Sequence, residues 1–256
     1  MMKKLLSLLV LFVFLLAGLS AADSPPPFTP AVPSAANQQL DGDYFNISGQ
    51  PHVTNPAAAF STKIGLYLIA YENAGVGISL AYFDSKNGEM SFVSDKSGSA
   101  LGVYNPDLVY DKKLDRFLLV WDERVCKGEP IKCAYVIKGR LLYGDYKPDN
   151  WYAGDEFSVA SKHASSLDQT HPSAAYNEVG KQYVVIFRQG VHSTESYPAI
   201  YGLMLGASAS LQTIFAGENN PFEIRTDIAG WTIHNPDVAW SGNGVNFLGV
   251  WGRRHK

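Results

Sequence analysis

The sequence predicts an all-β fold made of repeated, four-stranded antiparallel units. The first observation behind this prediction is a phrase of seventeen residues that recurs four times without a gap. The second is that aromatic residues occupy the same three positions in every copy. The copies are NPAAAFSTKIGLYLIAY from Asn55, NPDLVYDKKLDRFLLVW from Asn105, HPSAAYNEVGKQYVVIF from His171 and NPDVAWSGNGVNFLGVW from Asn235. Their prolines are 50, 66 and 64 residues apart, which is long enough for one supersecondary unit per copy.

Aromatic residues stand 4, 11 and 15 positions after each proline. Only 12% of the whole chain is aromatic, so aromatic residues in all twelve of these positions indicate a shared structural role. The twelve are Phe60, Tyr67, Tyr71, Tyr110, Phe117, Trp121, Tyr176, Tyr183, Phe187, Trp240, Phe247 and Trp251. Because burying one such ring removes roughly 150 to 250 Å² from water, we expect the set to form the core rather than platforms for a stacked ligand.

Each copy is expected to form two strands joined by a tight turn. The six residues between the first two aromatic positions are rich in Ser, Asn, Asp, Gly and Lys, which favour hairpin turns. The segment after the turn is apolar on both faces, which is typical of a strand covered on both sides. A third strand and a more polar fourth strand should follow in the first three copies. We place the third strands at GVGISLAYF, AYVIKGRLL and PAIYGLML and the fourth strands at MSFVS, DEFSVAS and PFEIR.

Four-stranded units of this kind, repeated with apolar central strands, are typical of the blades of a β-propeller. The chain contains three complete units, and its last copy supplies two further strands. Phe45 and Ile47 resemble the fourth strand of a unit, so we expect a fourth blade built from both termini. Two arrangements stay open at this point: a small four-bladed ring, or a fragment of a larger ring.

Three segments are expected along the chain. Residues 1–22 combine two lysines, an apolar run and small residues before Asp23, which is the pattern of a secretory signal peptide. Residues 23–40 are rich in Pro and Ala and predict an extended spacer, and residues 41–256 form the propeller domain. We therefore expect a secreted, periplasmic or cell-surface protein with no membrane span after cleavage.

The charge of the chain argues against polyanionic partners. Without residues 1–22 the chain carries 19 basic and 24 acidic side chains, a net charge of −5. Such a surface does not attract nucleic acid. No sequence pattern predicts a cofactor or a metal site.

Cys126 and Cys133 are the two cysteines of the chain, and a Gly and a Pro lie between them. In an oxidising compartment they are expected to pair, since a turn would bring them together. Closing this short loop should stabilise the fold by about 2.5 kcal/mol. A redox pair or half of a metal site is the alternative, although the spacing is longer than in a CxxC motif.

The repeat itself is similar to a known type. A Pro-x-φ-Ala-Tyr-Asn/Asp segment, a turn and Tyr-Leu-Val-Val-Trp resemble the repeat of large secreted bacterial and archaeal propeller proteins, which are mostly of unassigned function. HPSAAYNEVGKQYVVIF and NPDLVYDKKLDRFLLVW are the copies that carry the resemblance best. The resemblance implies a propeller fold, and it implies no catalytic residue.

The residues before the prolines are candidates for ligand binding, because the first strand of each propeller blade lines the central channel. They are Asn55, Asn105, His171 and Asn235. One interpretation is turn chemistry, with each residue held at extended angles by the proline that follows it. The other is a polar ring that binds a sugar, an ion or water.

The residues after the prolines include Asp107 and Asp237, from the second and fourth copies. In a four-bladed ring these copies face one another, and paired carboxylates can carry out glycoside hydrolysis. The sequence contains no GxSxG, HExxH or phosphate-loop pattern. We therefore predict a secreted, non-catalytic module that binds carbohydrate or an extracytoplasmic protein. A glycoside hydrolase that uses Asp107 and Asp237 is the alternative.

Overall fold

The computed structural model describes residues 53–255 except for 98–101, 129–130, 145–150, 160–167, 191–197, 207–220, 227–230, 243 and 245. The described residues form β-strands, turns and loops and contain no helix. None of them therefore belongs to a helix with the length and apolar character that a membrane crossing needs. The predicted signal peptide, the spacer and the strand at Phe45 and Ile47 lie outside the described residues.

The strands form four separate antiparallel sheets. The first sheet has the order β1 (Val53–Ser61), β2 (Leu66–Asn73), β3 (Gly77–Asp84) and β4 (Met90–Ser97). The second has β5 (Val103–Asp111), β6 (Arg116–Lys127), β7 (Lys132–Gly144) and β8 (Trp151–Ala153), and β9 (Phe157–Ser158) also pairs with β7. The third has β10 (Asp168–Asn177), β11 (Gln182–Gly190), β12 (Ala199–Gly206) and β13 (Phe222–Thr226). The fourth has β14 (Trp231–Trp240) and β15 (Phe247–His255).

These sheets are the blades of a β-propeller, as the repeat predicts. Each starts with the proline-led strand, and these inner strands contact one another in the order β1, β5, β10, β14. Three apolar clusters fill the spaces between consecutive sheets. Leu68 and Trp121 belong to the first cluster, Leu118 and Val185 to the second, and Ile186 with Val238 to the third. The core therefore lies between the blades.

The predicted aromatic positions pair across the hairpins. The +4 and +11 residues are directly opposite one another in all four copies, and their rings are 4.7 to 5.0 Å apart in the first three. Most rings of the second and third copies are buried, as expected. Phe60 and Tyr67 of the first copy are 38% and 40% exposed, so the expectation that all twelve are core residues is wrong there. Among the described residues, the apolar cluster on their side of the first sheet contains no residue of another blade.

Two glycines on the third strands explain why the predicted fourth strands of the second and third blades carry a Phe. Gly139 is opposite Phe157, and Gly202 is opposite Phe222. A Cβ on either glycine would come within 2.7 Å of the facing ring. The missing side chain therefore lets the aromatic ring lie flat over the neighbouring strand.

The residues before the prolines adopt an unexpected conformation. Their φ angles are 49° at Asn55, 51° at Asn105, 53° at His171 and 42° at Asn235. The expectation of extended angles is therefore wrong. At the same point each hairpin shows a register shift, which is a β-bulge. Asn and His are among the side chains that tolerate this left-handed region best, which accounts for their choice at all four sites.

The predicted disulfide is present. Cys126 and Cys133 are opposite one another in the β6–β7 hairpin, and their sulfur atoms are bonded. The described residues contain no free cysteine.

A buried polar cluster joins the second and third blades. Arg116 and Asp111 form an ion pair with an Nε–Oδ2 distance of 3.3 Å, and both are fully buried. The Tyr183 hydroxyl of the third blade donates to the same oxygen at 2.9 Å. Asp111 Oδ1 also accepts the backbone N–H groups of Lys113 and Leu114, which shape the turn. One carboxylate thus connects a turn, a buried cation and the neighbouring blade.

We expect Asp111→Ala to lower the free energy of unfolding by about 3 to 5 kcal/mol, because it leaves the Arg116 charge buried without its counterion. Urea unfolding followed by tryptophan fluorescence measures this change. Lys112→Ala is the control, since its 3.8 Å pair with Glu178 is exposed and should contribute less than about 1 kcal/mol. Equal losses for the two variants would contradict the structural role of Asp111.

Candidate functional site

The four proline-led bulges surround one pocket of about 390 Å³. In each copy, the pre-proline residue, the proline and the residue after it line this pocket. We call it the mouth. The stacking of the inner strands side by side explains why residues 180 positions apart in sequence meet here. The structure thus brings together all four pre-proline candidates and both aspartate candidates, Asp107 and Asp237.

Two of the pre-proline asparagines are held by hydrogen bonds. Asn55 Nδ2 donates to Glu72 Oε1 at 2.6 Å and lies 3.3 Å from Asn105 Oδ1. Asn105 Nδ2 donates to Asp122 Oδ2 at 2.9 Å. These bonds hold the amide groups of Asn55 and Asn105 in place. Asn235 is exposed, and His171 is half-buried.

Two acids that contact residues of the mouth were not predicted from the sequence. Glu72 and Asp122 stand one residue after the last aromatic of the first and second copies, and we call them the junction carboxylates. Glu72 accepts the Asn105 backbone N–H at 2.5 Å, and Asp122 accepts the His171 backbone N–H at 3.1 Å. Each therefore ties its own blade to the bulge of the next blade. Only their shared position after the aromatic could have indicated this role.

Burial, together with the nearby Glu72 charge, raises the pKa of Asp122 to about 7. Hydrogen bonds from Asn105 and from the His171 backbone act in the opposite direction. Both bonds go to Oδ2, and the buried Oδ1 has no hydrogen-bond partner among the described atoms. Asp122 therefore carries a proton for part of the time at neutral pH.

A serine joins the two candidate catalytic acids. Ser173 follows the proline of the third copy, and its hydroxyl donates to Asp237 Oδ1 at 2.8 Å. The same side chain interacts with the Asp107 carboxyl group. Two carboxylate oxygens that contact one hydroxyl lie within about 7 Å of each other. Asp107 and Asp237 therefore form a pair rather than two separate charges.

The two aspartates have different surroundings. Burial raises the pKa of Asp107 to about 6, although its Oδ2 accepts the Ala174 backbone N–H at 2.7 Å. The Asp237 charge contributes to this rise. Asp237 is exposed to solvent. Because the Ser173 hydroxyl has one proton to donate, it can donate to only one of the two carboxylates at a time.

The described residues contain no group of three or more His, Cys, Asp or Glu side chains arranged to hold a metal ion. The side chains that line the mouth supply carboxyl groups, amides, one hydroxyl and one imidazole. Paired carboxyl groups with different surroundings are suited to general acid and base catalysis.

The fold and the mouth define a β-propeller whose four inner strands line a pocket that contains two aspartates. No protein-family model and no curated protein sequence matches this chain. Among solved structures, it is similar to an α-L-arabinofuranosidase from Fusarium graminearum, with 15% identity, a TM-score of 0.48, and coverage of 79% of this chain and 58% of that one.

Two further solved structures are similar to the chain. For an endo-1,5-α-L-arabinanase from Thermotoga petrophila the identity is 14%, the TM-score 0.40 and the coverage 59% of this chain and 40% of that one. For an N-acetylgalactosamine deacetylase from F. plautii the identity is 13%, the TM-score 0.44 and the coverage 73% of this chain and 58% of that one. The chain thus spans less than two thirds of each of the three. We take the chemistry from the mouth of this chain alone.

We expect Ser173→Ala to raise the pKa of Asp107 above its value of about 6, because the Ser173 hydroxyl is a donor that lowers this pKa. Carbon-13 NMR titration of the aspartate carboxyl groups measures the shift. Ser91→Ala on β4 is the control and should leave the titration unchanged. An Asp107 pKa that stays the same or falls in Ser173→Ala would contradict the assigned hydrogen bond.

Proposed function

We propose that the mouth is the active site of a glycoside hydrolase, with Asp107 as the general acid and Asp237 as the partner carboxylate. The observation that carries this proposal is the Asp107–Ser173–Asp237 arrangement, in which two carboxyl groups within about 7 Å differ in exposure. Glycosidases use two carboxyl groups at such separations on either side of the scissile bond. The alternative of the sequence analysis is therefore preferred to a non-catalytic module.

Asp107 is suited to the acid role. Its raised pKa keeps a share of the molecules protonated near neutral pH, so it can donate a proton to the leaving-group oxygen. Its hydrogen bond from the Ala174 N–H fixes one carboxyl oxygen at the wall of the mouth. The neighbouring blade thereby positions the acid.

Asp237 is suited to attack the sugar or to activate water. Its Oδ1 accepts hydrogen bonds from the Ser173 hydroxyl and from the Val238 N–H, both at 2.8 Å. Two donors on one oxygen orient the carboxylate. Whether Asp237 acts as nucleophile or as base depends on the separation of the reacting oxygens in the substrate complex.

The walls of the mouth are suited to a carbohydrate. Asparagine amides, the serine hydroxyl and the imidazole offer both donors and acceptors for sugar hydroxyl groups, and four prolines give rigid apolar surface between them. A pocket of about 390 Å³ is within the usual range of small-molecule sites. The predicted signal peptide supports a substrate outside the cytoplasm, and we propose a secreted, periplasmic or cell-surface location.

A non-catalytic carbohydrate-binding module is the second candidate. It is favoured by the backbone N–H groups that both aspartates accept, since such bonds give each carboxylate a structural role as well. The two candidates differ in whether the bound glycan is cleaved.

We expect Asp107→Asn and Asp237→Asn each to lower kcat/KM by about 10²- to 10⁴-fold on a glycan or aryl glycoside that the wild-type chain cleaves. Asparagine keeps a side-chain oxygen for the backbone N–H groups, so the fold should be retained. Activity would be found with a panel of aryl glycosides and plant and host glycans, and circular dichroism checks folding. Asp155→Asn, at an exposed aspartate between β8 and β9, is the control. A folded wild-type chain that binds glycans saturably and cleaves none would favour the second candidate.

The pH dependence gives a separate test of the acid. Asp107 must be protonated to act, so kcat/KM should fall as the pH rises through about 6. A pH–rate profile from pH 4 to 9 shows this decline. In Ser173→Ala the decline should move to higher pH, in line with the raised pKa. A rate that increases steadily through pH 6 would rule out Asp107 as the acid.

A further inference from the structure

The third blade breaks the pattern of the junction carboxylates. In the first two copies the residue after the last aromatic is an acid, Glu72 or Asp122, which accepts the pre-proline N–H of the next blade. In the third copy this position is Arg188, and the next pre-proline residue is Asn235. Strand β11 therefore supplies no carboxylate to the third junction.

Arg188 is placed like the acids that it replaces. It is opposite Thr170 in the β10–β11 pairing, as Glu72 is opposite Thr54 in the first sheet. Thr170 directly precedes His171, so Arg188 is at the bulge of its own blade. The residue before Asn235 is His234, whose Nε2 lies 2.7 Å from the Thr232 hydroxyl. Basic groups thus collect where the other junctions have a carboxylate.

These basic groups have unused donors and acceptors. Arg188 Nε and His171 Nδ1 are buried and have no hydrogen-bond partner among the described atoms. Leaving buried polar atoms unpaired is costly, and native structures usually satisfy them with water or a ligand. An oxyanion that bridges them would supply the missing acceptor.

The three side chains also act on one another electrostatically. Burial lowers the pKa of His171, and the Arg188 and His234 charges lower it further. The pKa of His234 is lowered by burial and by Arg188 as well. The geometry agrees: His171 follows Thr170, which is opposite Arg188, and His234 precedes Asn235, which lines the same pocket as His171. Glu72 and Asp168 are the acids that act on these three groups, which we call the corner.

Both acids already have partners. Glu72 accepts from Thr54, Asn55 and the Asn105 backbone, and Asp168 Oδ1 accepts the Tyr135 backbone N–H at 3.0 Å. Their carboxylates are therefore engaged elsewhere and do not replace the acid that is missing from the third junction.

We propose that Arg188, His171 and His234 form an anion-binding site at the edge of the mouth, and that it takes an oxyanion substituent of the sugar, a carboxylate or a sulfate. The bound anion would stand where Glu72 and Asp122 stand at the other junctions, near the Asn235 N–H. Arginine suits this task because its planar guanidinium can bind an oxyanion through two parallel hydrogen bonds. The substrate class is then an acidic glycan.

The anion site is independent of the catalytic pair, whereas its assignment to a substrate rests on the proposed hydrolysis. His171 and Asn235 line the same pocket as Asp107 and Asp237. A sugar held by its anionic group at this corner would therefore lie beside the carboxyl pair. Neutral sugars would lack this contact.

The test is calorimetric titration of the folded Asp107→Asn chain, which removes the acid and keeps the corner intact. The probes are galacturonate oligomers, galactose 6-sulfate and neutral galactose oligomers. We expect the matching anionic probe to bind at least about tenfold more tightly than the neutral one. Comparing the galacturonate and sulfate probes shows whether the site prefers a carboxylate or a sulfate.

Arg188→Gln should abolish the preference for the anionic probe, and Arg225→Gln on the exposed strand β13 is the charge-matched control. Arg188→Asp recreates the junction acid of the second blade, so it should abolish anion binding without lowering the midpoint of thermal unfolding. The second variant keeps the test valid if Arg188→Gln fails to fold.

The outcomes separate the two proposals. An anionic preference that depends on Arg188, together with a wild-type chain that cleaves nothing, would leave the anion site standing and overturn the hydrolase. Cleavage of neutral glycans with no preference for anionic probes would do the reverse. Equal binding of anionic and neutral probes by the Asp107→Asn chain and by its Arg188→Gln derivative would overturn the anion site.

Discussion

The burial of each sheet against the next is the interaction on which the rest of the structure depends. A four-stranded sheet with an apolar face cannot be stable alone, and here the second and third sheets are covered on both sides. The central strands β6 and β11 are accordingly apolar on both faces. Their residues Trp121, Tyr183 and Phe187 have no solvent exposure. Side-by-side packing about the inner strands then determines where every other group can lie.

The mouth is a consequence of this packing. Four inner strands that start with the same bulge place four equivalent sets of residues around one pocket. The left-handed residue before each proline turns the chain at that point, and at Asn105 and His171 it directs the backbone N–H toward the preceding blade. Side-chain acceptors are needed there, and Glu72 and Asp122 supply them. Repetition therefore builds a symmetric frame, and substitutions within it produce the chemistry.

The sequence predicts the frame well because the frame is repeated. Aromatic residues at fixed distances from a proline determine the hairpin register, and the structure pairs Tyr110 with Phe117 and Tyr176 with Tyr183 as that spacing requires. The disulfide could be predicted as well, because Cys126 and Cys133 are close in sequence and a turn lies between them. The aspartates could be found, since they occupy equivalent positions in two copies.

Other features could not be predicted from local sequence. The angle before each proline depends on a bulge that only the paired strand creates, so the usual preference for extended angles was misleading. The exposure of Phe60 depends on whether another blade covers the first sheet. Glu72 and Asp122 are single acids at strand ends, and their function appears only when the neighbouring blade is in place. The role of Ser173 likewise depends on Asp107 and Asp237, which belong to two other blades.

The negative charge at the mouth is not required by the fold. Asp107 and Asp122 each hold backbone N–H groups through one oxygen, and an asparagine oxygen could accept the same bonds. Keeping carboxyl groups there is costly: their raised pKa values mean that the native state binds protons more tightly than the unfolded chain, so stability falls as the pH rises from about 4 through 6 and 7. The apolar layers between the blades offset that loss. These charges weaken the fold, and an amide could replace them structurally, so chemistry at the mouth explains them best. The proposed function is therefore centred on the carboxyl pair rather than on the polar ring before the prolines.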